Sequence, residues 1–392
     1  MTATRSNGRN AMKGLYLAFE LGWSAWKLGF TTCAEQNPRV RVCKGRDLEA
    51  LEKEIAKAKA RFGLPAETPV FCCYEAGRDG FWLHRYLEKA GHHNVVVDSA
   101  SIEVNRRKRR AKSDRLDVQK LLSMLLRHHG GEKKVFCIVQ VPGVEVEDRR
   151  QLHRELLTLK GERTEHNNRI KGLLASQGLS ATVNDKFSTL LAKLRLWDGS
   201  AVPADLQQRL LREFARWQLV GQQIEELEME RLQRARSGQE DCHKKVRSLL
   251  KLRGIGINSA WLFTMEFFGW RQFRNRRQVG ALAGLVPTPY QSSDSAREQG
   301  ISKAGNQRLR AVAIEIAWGW IRYQPKSGLT RWFQRRFGKG NTRAKKIGVV
   351  ALSRKLLVAL WRYLETGEIP EGAKLKEEHT PKASSAQKRR AG

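Results

Sequence analysis

With 392 residues the chain exceeds what one ordinary hydrophobic core sustains, and two or three domains are expected. Lys and Arg number 73 against 40 Asp and Glu, a formal net charge of +33. That excess implies a polyanionic partner, because neutralised phosphates release counterions. No apolar run approaches the roughly 20 residues of a membrane-spanning helix, and MTATRSNGRNAMKG lacks the apolar centre of a secretory signal, so a cytoplasmic, nucleoid-associated protein with no membrane partner is expected.

In chain order, LYLAFEL (15–21) and AWKLGFT (25–31) read as a hairpin, and RVRVC (39–43) alternates with period two as a third strand. Asp47 opens a helix whose Leu48, Leu51, Ile55 and Ala58 lie at helical spacing, with Gly63 as its stop. PVFCCYEAG (69–77) and NVVVDS (94–99) read as buried strands on either side of a helix, GFWLHRYLEKAG. This order predicts a mixed α/β sheet covered on both faces. The six cysteines (Cys33, Cys43, Cys72, Cys73, Cys137 and Cys242) form no CxxC pair and read as reduced, buried thiols.

A basic run follows, NRRKRRAK, with Arg106, Arg107, Lys108, Arg109 and Arg110 as nucleic-acid contacts or a solvated charge run. Ser113 is placed to cap the next helix, DRLDVQKLLSMLLRHHGG. From Asp148 the pattern changes to charged helices. Leu152, Leu156, Leu159, Ile170 and Leu173 on one, and Leu206, Leu210, Phe214, Trp217 and Ile224 on another, predict long antiparallel coiled-coil arms with Arg163 and His166 interrupting the seam. From Val246 a mostly helical unit begins. The division expected is 1–147, 148–245 (oligomerisation), 246–373, and a disordered basic tail, 374–392.

Four carboxylates stand out by position. Glu20 and Glu75 close apolar strands, where an uncompensated charge is costly, and Asp114 and Asp117 sit three apart on one helix face. Each has a plain alternative: Asp114 as a first-turn residue favoured by the helix dipole, Asp117 as the partner of an arginine. As a set they suit a hard cation such as Mg2+, and two such ions stabilise the attacking and leaving oxygens of phosphodiester chemistry.

The segments YEAGRDGFWLHRYL, AKSDRLDVQKLL, LRGIGINSAWLF, QVGALAGLVPTPYQS and GISKAGNQRLR together resemble the insertion-sequence-one-ten family of transposases over nearly the whole chain up to about residue 373. The resemblance implies an RNase H/RuvC-like domain in which Glu20, Glu75, Asp114 and Asp117 hold Mg2+, with Glu20 standing where the family usually has Asp. It further implies a nucleophilic Ser292, with Ser293 in reserve, that forms a serine–DNA intermediate at a composite site shared with another subunit of a dimer or tetramer. A structured guide RNA encoded by the element, pairing with target and donor DNA, is also implied. The competing readings are a RuvC-like nuclease or resolvase using a metal-activated water, and a non-catalytic nucleic-acid scaffold.

Gly254 and Gly256 in LRGIG suit a phosphate-approaching turn or a plain helix-to-helix turn. Arg297, Lys303, Asn306, Arg308 and Arg310, with Gly300 and Gly305 allowing close backbone approach, read as a phosphate-binding segment around the serines. Trp318 and Trp320 are assigned to the core, while Trp332 could stack on a base. His92, His93, His128 and His129 read as surface or phosphate-facing residues, since no zinc arrangement is recognisable among them.

Overall fold

The structure, a computed structural model, describes residues 14–102, 114–132, 134–292 and 295–376. The run Arg106–Arg110, the Ser113 cap, Ser293 and most of the basic tail therefore lie outside the described residues. The chain divides into two compact units, Met1–Val141 and Pro142–Gly392.

The first unit carries strands β1 (Leu15–Leu21), β2 (Ala25–Thr31) and β3 (Arg39–Lys44), helix α1 (Leu48–Arg61), β4 (Val70–Glu75), α2 (Trp82–Lys89), β5 (His93–Val97) and α3 (Asp114–His129). The sheet order is β3-β2-β1-β4-β5; β2 runs antiparallel to both β1 and β3, while β4 is parallel to β1 and β5. Alternation sorts the side chains into two cores. Leu15, Leu17, Phe19, Val70, Cys72 and Tyr74 pack beneath α1 and α2, whereas Tyr16, Ala18, Phe71 and Cys73 pack beneath α3. This mixed sheet with helices on both faces is consistent with an RNase H/RuvC-like core. The Asp47 cap forms as expected, its side chain accepting from the Ala50 N–H at 2.9 Å, and Gly63 follows the helix at φ +62°.

The close seating of α3 depends on Gly29 of β2. A Cβ at that position would run into Cγ1 of Val118, a β-branched residue with little rotamer freedom in a helix. Gly29→Ala is therefore expected to lower stability by about 1–3 kcal/mol through overpacking. A urea titration of the variant checks it, and an unchanged midpoint would refute the account of this contact.

The second unit holds α4 (Val144–Asp148), α5 (Gln151–Ala175), α6 (Phe187–Lys193), α7 (Ala204–Ser237), α8 (Asp241–Lys251), α9 (Ile257–Phe263) with a π-helical turn at Thr264–Phe268, and α10 (Arg276–Leu282). Strands β6 (Pro287–Ser292) and β7 (Ser295–Ile301) and helices α11 (Gln307–Tyr323), α12 (Gly328–Phe337) and α13 (Thr342–Thr366) complete it. α5 and α7 pack along each other through Leu156, Leu159, Val220 and Ile224. Polar groups do interrupt their contact: the Arg163 guanidinium lies 4.4 Å from the Trp217 ring, and His166 Nδ1 meets Glu213 at 2.7 Å.

Three sequence expectations change here. The serine-rich stretch is a hairpin rather than a loop, with Tyr290 opposite Arg297 and Ser292 opposite Ser295. A backbone ladder of this kind needs no apolar alternation, so the polar composition concealed it. Trp320 is fully buried and donates its indole N–H to Ser327 Oγ at 2.9 Å, but Trp318 is 47% exposed. His93 is exposed as expected, whereas His92, His128 and His129 are only partly exposed and packed by neighbours. His129 packs on Tyr16 and Phe71, His128 on Phe136, and His92 meets Glu52 at 3.2 Å.

Candidate catalytic and metal-binding sites

In β1 and β4 the last paired residues are Phe19 and Tyr74, so Glu20 and Glu75 stand side by side one position further along. Parallel neighbours in a sheet are about 4.8 Å apart. By alternation from Ala18 and Cys73, both glutamates fall on the α3 side of the sheet. α3 runs against the strands in a direction fixed by three contacts. His129 at its end packs on Tyr16 and Phe71. Further back, the Leu121 carbonyl accepts from Cys73 Sγ at 3.8 Å, and Val118 sits over Gly29, which is opposite Ala18. Moving toward the helix start thus moves along the strands toward Glu20 and Glu75, and the first turn of α3 contains Asp114 and Asp117.

The backbone positions of Glu20, Glu75, Asp114 and Asp117 thus lie toward the same end of this unit, on three elements. Glu75 is exposed, and Glu20 and Asp117 are partly buried. The positive end of the α3 dipole also favours negative charge there. An all-oxygen donor set of this kind fits a hard divalent cation such as Mg2+.

The segment proposed from sequence to meet phosphates is divided by the fold. Gly254, at φ +92°, lies in the α8–α9 turn, and Gly256 precedes the first residue of α9. Gly284 and Gly305 allow a tight chain crossing, because a Cβ at either would strike the other segment's carbonyl, that of Ala304 or Leu282. Asn306 caps α11, accepting from the Leu309 N–H at 3.1 Å, and Arg310 donates to the Ala304 carbonyl at 3.4 Å. Lys303 and Arg308 are exposed, whereas Arg297 is placed by its backbone in β7. A separate groove of about 1180 Å3 has walls bearing Arg276, Arg277, Arg354, Lys355 and Arg362, with Trp332 among its lining.

Two clusters were not foreseen. The first centres on Glu266 in the π-helical turn. It accepts from Arg154 Nε at 2.9 Å and Nη2 at 3.1 Å, contacts His153 Nε2 at 3.0 Å, and accepts from Asn306 Nδ2 at 3.2 Å. Burial alone would raise its pKa, but the hydrogen bonds from His153 and Arg154 and their charges overcome this and hold it at about 2. Only the three-dimensional fold joins α5 to residue 266, so sequence spacing gave no signal.

The second cluster is Glu240, Cys242 and His243, whose ligand-type atoms all lie within 4.8 Å of one another. Cys242 Sγ is 3.3 Å and His243 Nδ1 3.9 Å from Glu240 Oε2. Burial pushes the Cys242 thiol up to about 11, and burial lowers the His243 pKa, with nearby arginines adding to that effect. The signal in the sequence is the pattern Glu-x-Cys-His at a helix start, which is not a CxxC pair.

This finding corrects the main mechanistic expectation. The helical unit expected to present Ser292 as nucleophile instead contains, among its described residues, a group able to hold a metal ion. Together with the family relationship below, it points to metal-dependent, RuvC-like chemistry in place of a serine–DNA covalent intermediate. A serine hydroxyl needs a base, a metal or a lowered pKa to attack, whereas a ligated metal ion itself activates a bound water.

A 3-2-1-4-5 mixed sheet with a glutamate at the end of each of its adjacent parallel strands β1 and β4 is consistent with an RNase H/RuvC-like core. Residues 246–332 match the family described as Transposase IS116/IS110/IS902 family. The chain is 41% identical over 375 residues to the "Putative transposase y4rJ" of Sinorhizobium fredii (strain NBRC 101917 / NGR234), covering 92% of this chain and 94% of that protein. It is 26% identical over 318 residues to the "Probable family 20 transposase" of Pseudomonas aeruginosa, covering 80% and 89%. It is also 27% identical over 220 residues to the "Transposase for insertion sequence element IS1328" of Yersinia enterocolitica, covering 56% and 63%. The chain belongs to the IS110 family of transposases, enzymes of DNA recombination that act by phosphoryl transfer.

Proposed function

We propose that the chain cleaves DNA in transposition by metal-dependent attack of water on a phosphodiester, at a centre built from Glu20, Glu75, Asp114 and Asp117. The observation that supports this reading is the backbone register that sets Glu20 beside Glu75 at the end of β1 and β4, the end toward which the first turn of α3 runs. Mg2+ bound there would lower the pKa of the attacking water and offset charge on the phosphodiester oxygens. Glu20 and Glu75 hold their oxygens on a rigid sheet edge, and Asp114 and Asp117 close the site from the helix. The sheet unit, residues 1–147, carries the chemistry.

The helical region supplies binding. The net charge of +33, the exposed Lys303 and Arg308, and the basic groove beside Trp332 support contact with DNA and with a structured guide RNA. Residues 148–245 act as coiled-coil arms of a homo-oligomer. Leu157, Leu219 and Met229, exposed on α5 and α7, support that role. No helix among the described residues is long and apolar enough to cross a membrane, and a DNA substrate agrees with action at the nucleoid.

Chelation is expected to abolish strand cleavage of DNA bearing the element's ends, and Mg2+ alone to restore it, while DNA binding persists throughout. Undiminished cleavage in excess chelator would rule the metal centre out. The assay reads cleaved strands on a denaturing gel beside a filter-binding measurement.

A further inference from the structure

The Glu240–Cys242–His243 group stands apart from the carboxylate centre in its chemistry. We propose that it is a zinc site that fixes the junction between α7 and α8. Sulfur and imidazole donors select zinc over magnesium, which takes oxygen ligands. The spacing agrees with ligands sharing one tetrahedral ion. Metal–ligand bonds of about 2.0–2.3 Å bring neighbouring donor atoms to separations like the 3.3 Å between Cys242 Sγ and Glu240 Oε2.

A second observation is independent of that spacing. His243 is only 8% exposed, and its Nδ1 is a buried polar atom without a hydrogen-bond partner among the described residues. A buried, unpaired ring nitrogen is costly, and this one faces the cluster, 3.9 Å from the Glu240 carboxylate. The ring is held in that position. A Cβ on Gly238 would lie 2.5 Å from Nδ1, so only glycine permits this approach, and Trp261 packs on the ring at 5.7 Å. Arg247 ties the end of α7 down by donating to the carbonyls of Ala235 and Gly238 at 3.0 and 2.8 Å.

The surroundings complete the arrangement. Arg149 Nε contacts Glu240 Oε2 at 2.8 Å, an outer partner of the kind that orients a ligating carboxylate. On binding, zinc replaces the proton of the Cys242 thiol, which leaves to solvent. The ion's two positive charges are then balanced by one thiolate and one carboxylate, so the site becomes neutral among Arg149, Arg234 and Arg247. Glu240 is exposed, which leaves the fourth position open to water. The role assigned is structural: α7 ends at Ser237 and α8 begins at Asp241, and three ligands within four residues lock the turn between them.

The test is the zinc content of the full chain after purification without chelator and dialysis against metal-free buffer. About one zinc per chain is expected, falling at least fivefold in Cys242→Ser and in His243→Gln. Cobalt(II) added to metal-stripped wild type should give a thiolate-to-cobalt charge-transfer band that Cys242→Ser lacks. Circular dichroism confirms that each variant is folded. A folded wild-type chain that retains no zinc and gives no cobalt–thiolate band would overturn the proposal, as would variants that keep wild-type zinc. Mg2+-dependent cleavage is measured on the same samples. Zinc loss with cleavage retained, or the reverse, tells failure here from failure of the carboxylate centre.

Discussion

Asp117→Asn and Glu75→Gln are each expected to reduce strand cleavage by about a hundredfold or more while leaving DNA affinity within about twofold. Both substitutions keep the size of the side chain and remove one ionisable oxygen. Glu75 is exposed and Asp117 partly buried at the start of α3, so neither change opens a cavity. The binding surface is basic and lies elsewhere in the sequence, so affinity, dominated by phosphate neutralisation, should survive. Glu20→Asp keeps the carboxylate and shortens it by one methylene, and it is expected to keep activity where Glu20→Gln does not. Single-turnover cleavage beside equilibrium binding measures both quantities. Equal losses of binding and cleavage would point to a folding defect instead.

The largest stability effect is expected at Glu266. It is 3% exposed and meets Arg154, His153 and Asn306 directly, with the buried Arg150 at 3.9 Å. Glu266→Gln preserves the shape but leaves several cationic groups buried without a counter-charge. Breaking a buried pair on one side in this way costs about 3–5 kcal/mol. The pH dependence follows from the carboxyl group, which is held at about 2 against an ordinary value of 4.5.

A depressed acid binds fewer protons folded than unfolded, so stability rises with pH through this window. Its contribution, about 3 kcal/mol, is fully present above pH 4.5 and is lost as pH falls through 2. Urea unfolding at a series of pH values should show a steep acid loss in wild type that is shallower in Glu266→Gln. Parallel curves for the two would contradict this account of the cluster.

Much of the first unit was legible because period-two alternation and caps are local. Asp47 capped α1, and the strands VFCCYE and HNVVV appeared where short apolar runs predicted them. Glu20 and Glu75 stand out in the sequence for a related reason, since a charge closing an apolar strand is conspicuous. That Glu20 and Glu75 stand side by side was not legible, because it depends on the register of β1 with β4.

The second unit was read less well. The β6–β7 hairpin is held by backbone bonds that polar residues disguise. Trp318 and Trp320 are two residues apart on one helix, and a 3.6-residue period places them on different faces, one exposed and one buried. Glu266 lies more than a hundred residues from His153 and Arg154 in sequence. The Glu240–Cys242–His243 group is local in sequence, its signal a carboxylate two residues before a Cys–His pair.

The most direct test of the account is a cleavage reaction on DNA carrying the element's ends, stopped by denaturation and resolved for both DNA and protein. Cleavage should depend on Mg2+, leave DNA ends free of protein, persist in Ser292→Ala and vanish in Asp117→Asn. A denaturation-resistant protein–DNA adduct that Ser292→Ala removes would contradict it.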